Sequence, residues 1–366
     1  MMKRIIYFWP VLFFIFFFCQ PSSEKSDKIP KVRQPVDTVG YAHIARQMDS
    51  IMNRVNRLNQ SERKNVFLLN QLDSSENWRV VICPHDDYSY AAEMYPYVLE
   101  NLRTPAVIIF GVAHRVKIED RLIFDSFDFW QGPYGPIPVS FWRDEIITAL
   151  PTEFYTINDS LHQIEHSVEA LLPFLQYYQP AVQIVPILVP YMNYQRMETL
   201  ARSVAQVMSE ISVRRALRWG QEFAFAISND AVHYGDEDWG GKDYAPFGAD
   251  SAGYQAAVDY DMNIISECLI DLLDPQGIQR FFEYTVNQKN YKEYAWTWCG
   301  RYSIPFGLLT AHYLKNALKA APLNGIMLRY STSIEKHPLP VEDLGMGRTS
   351  PATIHHWVGY VSIGYR

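Results

Sequence analysis

The feature that most constrains this chain is a set of short apolar runs that stop at polar, metal-binding side chains. Residues 80–83, 106–110, 182–189 and 223–227 form four such runs, with later ones at 326–328 and 357–361. They are too short for amphipathic helices and too uniformly apolar for strands with one wet face. They read instead as strands buried on both faces of a sheet. Between them the apolar spacing is helical. Leu171, Leu172, Phe174 and Leu175 mark one helix within 169–178, and Leu200, Val204, Val207 and Met208 mark another within 197–211. This alternation predicts an α/β fold, a single large domain with a mostly parallel central sheet flanked by helices. The 366 residues leave room for two domains, but no linker is visible after Gln34.

In open α/β sheets ligands bind beyond the carboxyl ends of the strands. The first run leads into Pro84-His85-Asp86-Asp87-Tyr88, the second ends at Gly111-Val112-Ala113-His114, and the fourth runs into Asn229-Asp230-Ala231-Val232-His233. His85, His114, Asp230 and His233 would therefore converge if these strands are neighbours. Imidazoles completed by one anionic group, with positions left open, suit a metal that binds substrate or dioxygen. The anionic candidates are Glu165, Glu169, Asp230 and Cys299. Arg301 follows closely enough to hold a thiolate or an anionic substrate. Within Glu165-His166-Ser167-Val168-Glu169, two roles stand open. Ser167 would cap the following helix with acidic residues at its N-terminus, or Glu165 and His166 would orient the metal ligands. Cys83 and Cys268 read as core thiols.

The first segment reads as an address. Lys3 and Arg4 precede an apolar run over 5–18, too short to span a bilayer comfortably, and Cys19 ends it. Residues 1–19 are expected to be a secretory or lipoprotein signal with Cys19 as the lipidation site, although Phe18 stands where a small residue is usual. An uncleaved anchor and a buried N-terminal helix are the other readings. Residues 20–37 are expected to be a polar tether and 38–366 the domain, exported to the cell envelope and held at the membrane through its N-terminus. From Ile44, the spacing of Met48, Ile51, Val55 and Leu58 predicts a helix packed on the domain. The net charge of −7 excludes a general nucleic-acid binder.

Taken in order, the His85 segment, Gly-x-x-His at 114, Glu-His-Ser-Val-Glu at 165–169, Asn-Asp-x-x-His-Tyr-Gly at 229–235 and Cys-Gly-Arg at 299–301 resemble the Memo family. That family includes the bacterial AmmeMemoRadiSam system protein B. The stretches at 130–136, 172–175, 185–189 and 330–333 are similar as well. The resemblance implies a fold like that of the class III extradiol dioxygenases. It implies a metal pocket lined by His85, His114 and Cys299, with Asp230 and His233 beside it and His233 in the acid/base position. The thiolate makes the site softer, so the implied metal is Fe(II) or Cu. A radical-enzyme system partner is implied too. The chain departs from the family pattern at Asp86-Asp87, which adds two carboxylates beside His85, and at Val112-Ala113.

Three functions follow as expectations. The first is a metal-dependent, dioxygenase-like redox enzyme acting on a small-molecule substrate, with His233 moving a proton and Asp230 orienting it or a water. The others are a binding or scaffold module for a peptide or protein, and an envelope metal binder.

Overall fold

All six apolar runs form strands, and most extend beyond the run that announced them. The structure is a computed structural model and describes residues 29–73 and 77–366. The expected signal over 1–19, Cys19 and the tether up to residue 28 lie outside the described residues. The compact unit is Lys31–Arg366. Its strands are β1 (Val32–Arg33), β2 (Val80–Cys83), β3 (Ala106–Val112), β4 (Leu122–Phe124), β5 (Phe129–Gly132), β6 (Gly135–Pro138) and β7 (Tyr155–Ile157), then β8 (Gln183–Val189), β9 (Phe223–Ser228), β10 (His233–Tyr234), β11 (Asp271–Leu272), β12 (Asn324–Thr332) and β13 (Trp357–Tyr365).

A ten-stranded sheet has the order β11-β12-β13-β2-β9-β3-β8-β4-β7, with β10 paired to β13. Its centre, β2-β9-β3-β8, is parallel. The expectation of a mostly parallel sheet holds only for that centre, because β13 is antiparallel to β2, β12 to β13, and β4 to β8. The sheet is mixed for a topological reason. A parallel pair needs a crossover connection, usually a helix. Between β12 and β13 there is only a 3-10 turn, Glu342–Leu344, so the chain returns antiparallel.

The uniform apolar runs are explained by two cores, one on each face. Val80, Ile82, Ile108 and Phe110 face one core with the helices Tyr194–Arg215 and Ser303–Leu318. Val81, Cys83, Val107 and Ile109 face the other with the helix Ala45–Leu69. That helix runs beyond the predicted stripe. It buries Met48, Ile51, Met52 and Val55, then Asn59 and Arg63, while Leu58 is 61% exposed. Arg63 draws the buried stripe around to Asn59 and Glu100, at 2.8 and 2.9 Å. Among the described residues no helix is long and apolar enough to cross a membrane.

The domain begins earlier than residue 38. β1 pairs in parallel with β5, and Arg33 is 1% exposed. Its guanidinium forms an ion pair with Glu169, donates to the Glu165 carbonyl at 2.6 Å and lies 4.4 Å over the Trp130 ring. Composition placed 31–37 in the tether because the segment is polar and carries Pro30 and Pro35. Removing one member of a buried ion pair leaves the other charge uncompensated. Arg33→Met is therefore expected to cost about 3–5 kcal/mol in urea unfolding, whereas Lys31→Ala, at an exposed pair with Asp159, costs less than about 1 kcal/mol.

Candidate metal centre

β9 lies between β2 and β3, so three parallel strands deliver their carboxyl ends to one edge of the sheet. His85, His114 and Asp230 each stand two residues beyond the end of their strand. Cys299 reaches the same edge from the turn before the helix Ser303–Leu318. One ligand atom from each of His85, His114 and Cys299 lies within 4.8 Å of the others.

Hydrogen bonds decide which nitrogen each ring offers. The Ser228 hydroxyl donates its proton to the Ser167 carbonyl at 2.6 Å, so it accepts from His85 Nδ1 at 2.7 Å. His85 Nε2 therefore carries a free lone pair. His114 Nδ1 faces Glu165 Oε1 at 2.9 Å, which leaves its Nε2 free as well. Such outer partners set the tautomer and aim of a metal-binding imidazole.

Around His85 Nε2 the acceptors crowd together. Cys299 Sγ and Asp230 Oδ2 each lie 3.4 Å from it, and the Asp230 amide donates to Cys299 Sγ at 3.0 Å. Burial, then Asp86, push the Asp230 carboxyl well above its usual range, and the thiol proton has two acceptors in reach, His85 Nε2 and the Asp230 carbonyl, each 3.4 Å from Cys299 Sγ. A soft cation in that proton's place would satisfy the nitrogen and sulfur donors together, so the donor set fits a metal. Burial first, and then Asp230, push the Cys299 thiol well above its usual range, so a thiolate here needs a cation. Gly300 makes the approach possible. A Cβ there would meet Asn229 Oδ1 at 2.1 Å, the atom that accepts the Gly300 N–H at 3.0 Å.

Glu165 is 2% exposed and accepts four N–H groups, from the His114 backbone and ring and from the His166 and Ser167 backbones. Burial alone would raise its pKa. His114, His166 and these bonds outweigh burial and hold it at about 2. With its oxygens so occupied, Glu165 orients His114. The helix-capping alternative is not what forms, because Ser167 Oγ donates to the Val112 carbonyl at 2.8 Å and the helix Leu172–Tyr178 has no side-chain cap. His166 stacks on His114, with ring centroids 4.8 Å apart. His233 Nδ1 faces the Ala231 carbonyl at 3.3 Å, so its Nε2 is open. Burial, then His114, lower the pKa of both His166 and His233 to about 4, and both are neutral at pH 7.

Other expected residues take different posts. Asp230 Oδ1 accepts the His85 N–H at 2.9 Å, so its carboxylate orients His85, and His233 is held by backbone instead. Asp86 accepts from the Tyr360 hydroxyl at 2.5 Å, and Asp87 accepts from the Thr349 amide at 2.5 Å. They anchor the walls. Burial, the larger cause, and the neighbouring Asp86 raise Asp87 to about 7. Glu169 is occupied by Arg33 and by the Val36 and Asp37 amides. Arg301 is turned away from the role expected of it. It is 3% exposed, lies 3.4 Å over the Tyr294 ring and donates to the Lys292 carbonyl at 2.9 Å, because three tyrosine rings make a better bed for a buried guanidinium than the thiol does.

Above these ligands opens a cleft of about 640 Å³ lined by His85, His114, His166, Asp230, His233 and the walls. A profile of the Memo-like protein family matches residues 41–338. The chain belongs to the Memo-like protein family. A MEMO1 family protein of Pyrococcus furiosus is 27% identical over 263 residues, 69% of this chain and 80% of the relative. One from Aquifex aeolicus is 25% identical over 43% of this chain and 54% of the relative. One from Saccharolobus islandicus is 30% identical over 42% and 52%. The last two matches span about half the length of the relative.

The Memo-like site also draws on residues that the sequence reading gave no role. Ser228 is one, and its only signal is its place directly after an apolar run. The Tyr41 hydroxyl donates to the His85 carbonyl. Trp239 stacks on His356, with centroids 3.9 Å apart and planes 11° apart, and both line the cleft. A pH test follows from Glu165, whose folded pKa of about 2 lies below its ordinary 4.5. Its stabilisation is complete above the ordinary value and drains away as pH falls toward the folded one. In metal-free protein, urea unfolding should show the wild type losing about 2 kcal/mol more than Glu165→Gln between about pH 5 and about pH 3.

Proposed function

We propose that this Memo-like protein is a metal-dependent redox enzyme of the dioxygenase-like type, with Fe(II) or Cu held by His85, His114 and Cys299. The observation that carries the reading is that three ligand atoms from three separate chain segments lie within 4.8 Å of one another, with His85 and His114 lining an open cleft. A metal bound there would supply Lewis acidity and one-electron redox chemistry to a small-molecule substrate.

The chain's own residues do the rest. His85 is 1% exposed and Cys299 4%, so the donor side of the site is shielded from bulk water. Ser228 and Glu165 fix the two imidazoles, and Asp230 holds the His85 backbone. His233, neutral and with Nε2 open, accepts a proton from a substrate hydroxyl and returns it later. The Trp239–His356 pair offers a flat face for an aromatic ring. The proposal extends to location, with the domain exported and held at the cell envelope through Cys19.

Anaerobically prepared protein, reconstituted with Fe(II) or Cu, should hold stoichiometric metal, and His85→Ala with His114→Ala should lose it without unfolding. Metal at background level in the reconstituted wild type would refute both the enzyme and the metal-binder readings, leaving the peptide- or protein-binding module. Oxygen uptake with a panel of catechol-type compounds separates turnover from storage. His233→Ala should keep its metal and lose about 10²–10⁴-fold in that rate. Cys19→Ser should release the protein from membranes if the lipid anchor is real.

A further inference from the structure

Residues 230–233 and 296–299 run side by side as a short antiparallel ribbon. Val232 bridges to Trp298, the His233 amide donates to the Thr297 carbonyl at 3.1 Å, and the Cys299 amide donates to the Asp230 carbonyl at 3.2 Å. The Thr297 hydroxyl returns a bond to the His233 carbonyl at 2.6 Å. One ribbon thus carries both Cys299 and His233.

Four donors tie this ribbon and β12 to a single carboxylate on the helix Ser251–Cys268. Asp261 is fully buried and is absent from the cleft lining. Its Oδ1 accepts Trp296 Nε1 at 2.7 Å and Trp298 Nε1 at 2.6 Å. Its Oδ2 accepts the Tyr330 hydroxyl at 2.8 Å and the Val232 amide at 3.3 Å. Four donors fill the capacity of two carboxylate oxygens, and an amide in the same place would turn N–H groups toward some of them. Burial raises Asp261 to about 6 in spite of these bonds. Keeping an ionised group here costs stability, so packing alone does not account for a carboxylate at this position.

We infer that Asp261 is a positioning residue that holds Cys299 and His233 in one frame, through Trp298 on one strand of the ribbon and Val232 on the other. The inference rests on the reading of Cys299 as a metal ligand, and the experiment separates the two. Co(II) is titrated into metal-free protein while the thiolate-to-cobalt charge-transfer absorption is followed. Circular dichroism confirms the fold of every variant. Asp261→Asn is expected to weaken Co(II) binding by about 10–100-fold, the usual effect of losing an outer partner of a metal ligand, and to shift the band. Trp298→Phe keeps the aromatic packing but removes the donor beside Cys299, and it should move both readouts the same way. Tyr330→Phe removes a donor outside the ribbon and should leave both unchanged. Folded Asp261→Asn and Trp298→Phe proteins with wild-type affinity and band overturn the inference, as does an equal loss in Tyr330→Phe. If the wild type takes up no Co(II), the metal reading fails and alkylation decides. Cys299 of Asp261→Asn should then react with iodoacetamide severalfold faster than in the wild type, with Cys83 and Cys268 unchanged, and equal Cys299 rates overturn the positioning role.

Discussion

The parallel pairing of β9 with β2 on one side and β3 on the other is the constraint from which the rest of the site follows. Parallel neighbours end on the same edge, so three loops are forced together whatever their sequences. The backbone then does part of the chemistry. His85 and Asp230 leave adjacent strands at the same level, which lets the Asp230 carboxylate accept the His85 amide. The side chain of Ser228, at the last position of β9, reaches the His85 ring. A single-residue slip in the β2–β9 register would turn these side chains to the opposite face. The two apolar cores, one on each face of the sheet, hold that register.

Around this edge, acceptors outnumber donors. His85 Nε2 and Cys299 Sγ converge with a single N–H beside them, the Asp230 amide on the sulfur, while Glu165 is saturated by four. The contrast distinguishes groups that keep a free lone pair from groups that aim them. It also gives Asp86 and Asp87 a structural reading. Their carboxylates are engaged by Tyr360 and Thr349, and they join the first strand loop to the C-terminal part of the chain that walls the cleft.

Much of this was legible in the residues. The strands announced themselves because burial on both faces leaves no polar positions, and His85, His114 and Cys299 stood out because imidazole and thiol at strand ends and beside a glycine are chemically conspicuous. Other parts were silent. Arg33 looked like a tether residue, since its partner Glu169 lies 136 positions away. Arg301 looked like an anion holder because it follows Cys299 by two residues, yet its side chain lies in a nest of tyrosines. Ser228 and Asp261 were unremarkable because a serine or an aspartate means little until its neighbours are known.

By itself, then, the sequence determined which segments are buried strands, which side chains carry ligand chemistry, and the family through an ordered set of motifs. Those properties are local, since hydrophobic periodicity and side-chain type need no partner to be read. Only the tertiary structure decided the mixed sheet, the order β2-β9-β3, the tautomers of His85 and His114, and which carboxylates aim ligands and which anchor walls. Each depends on hydrogen bonds between residues far apart in the chain, and their pairing exists only once the two cores have fixed the strands in register.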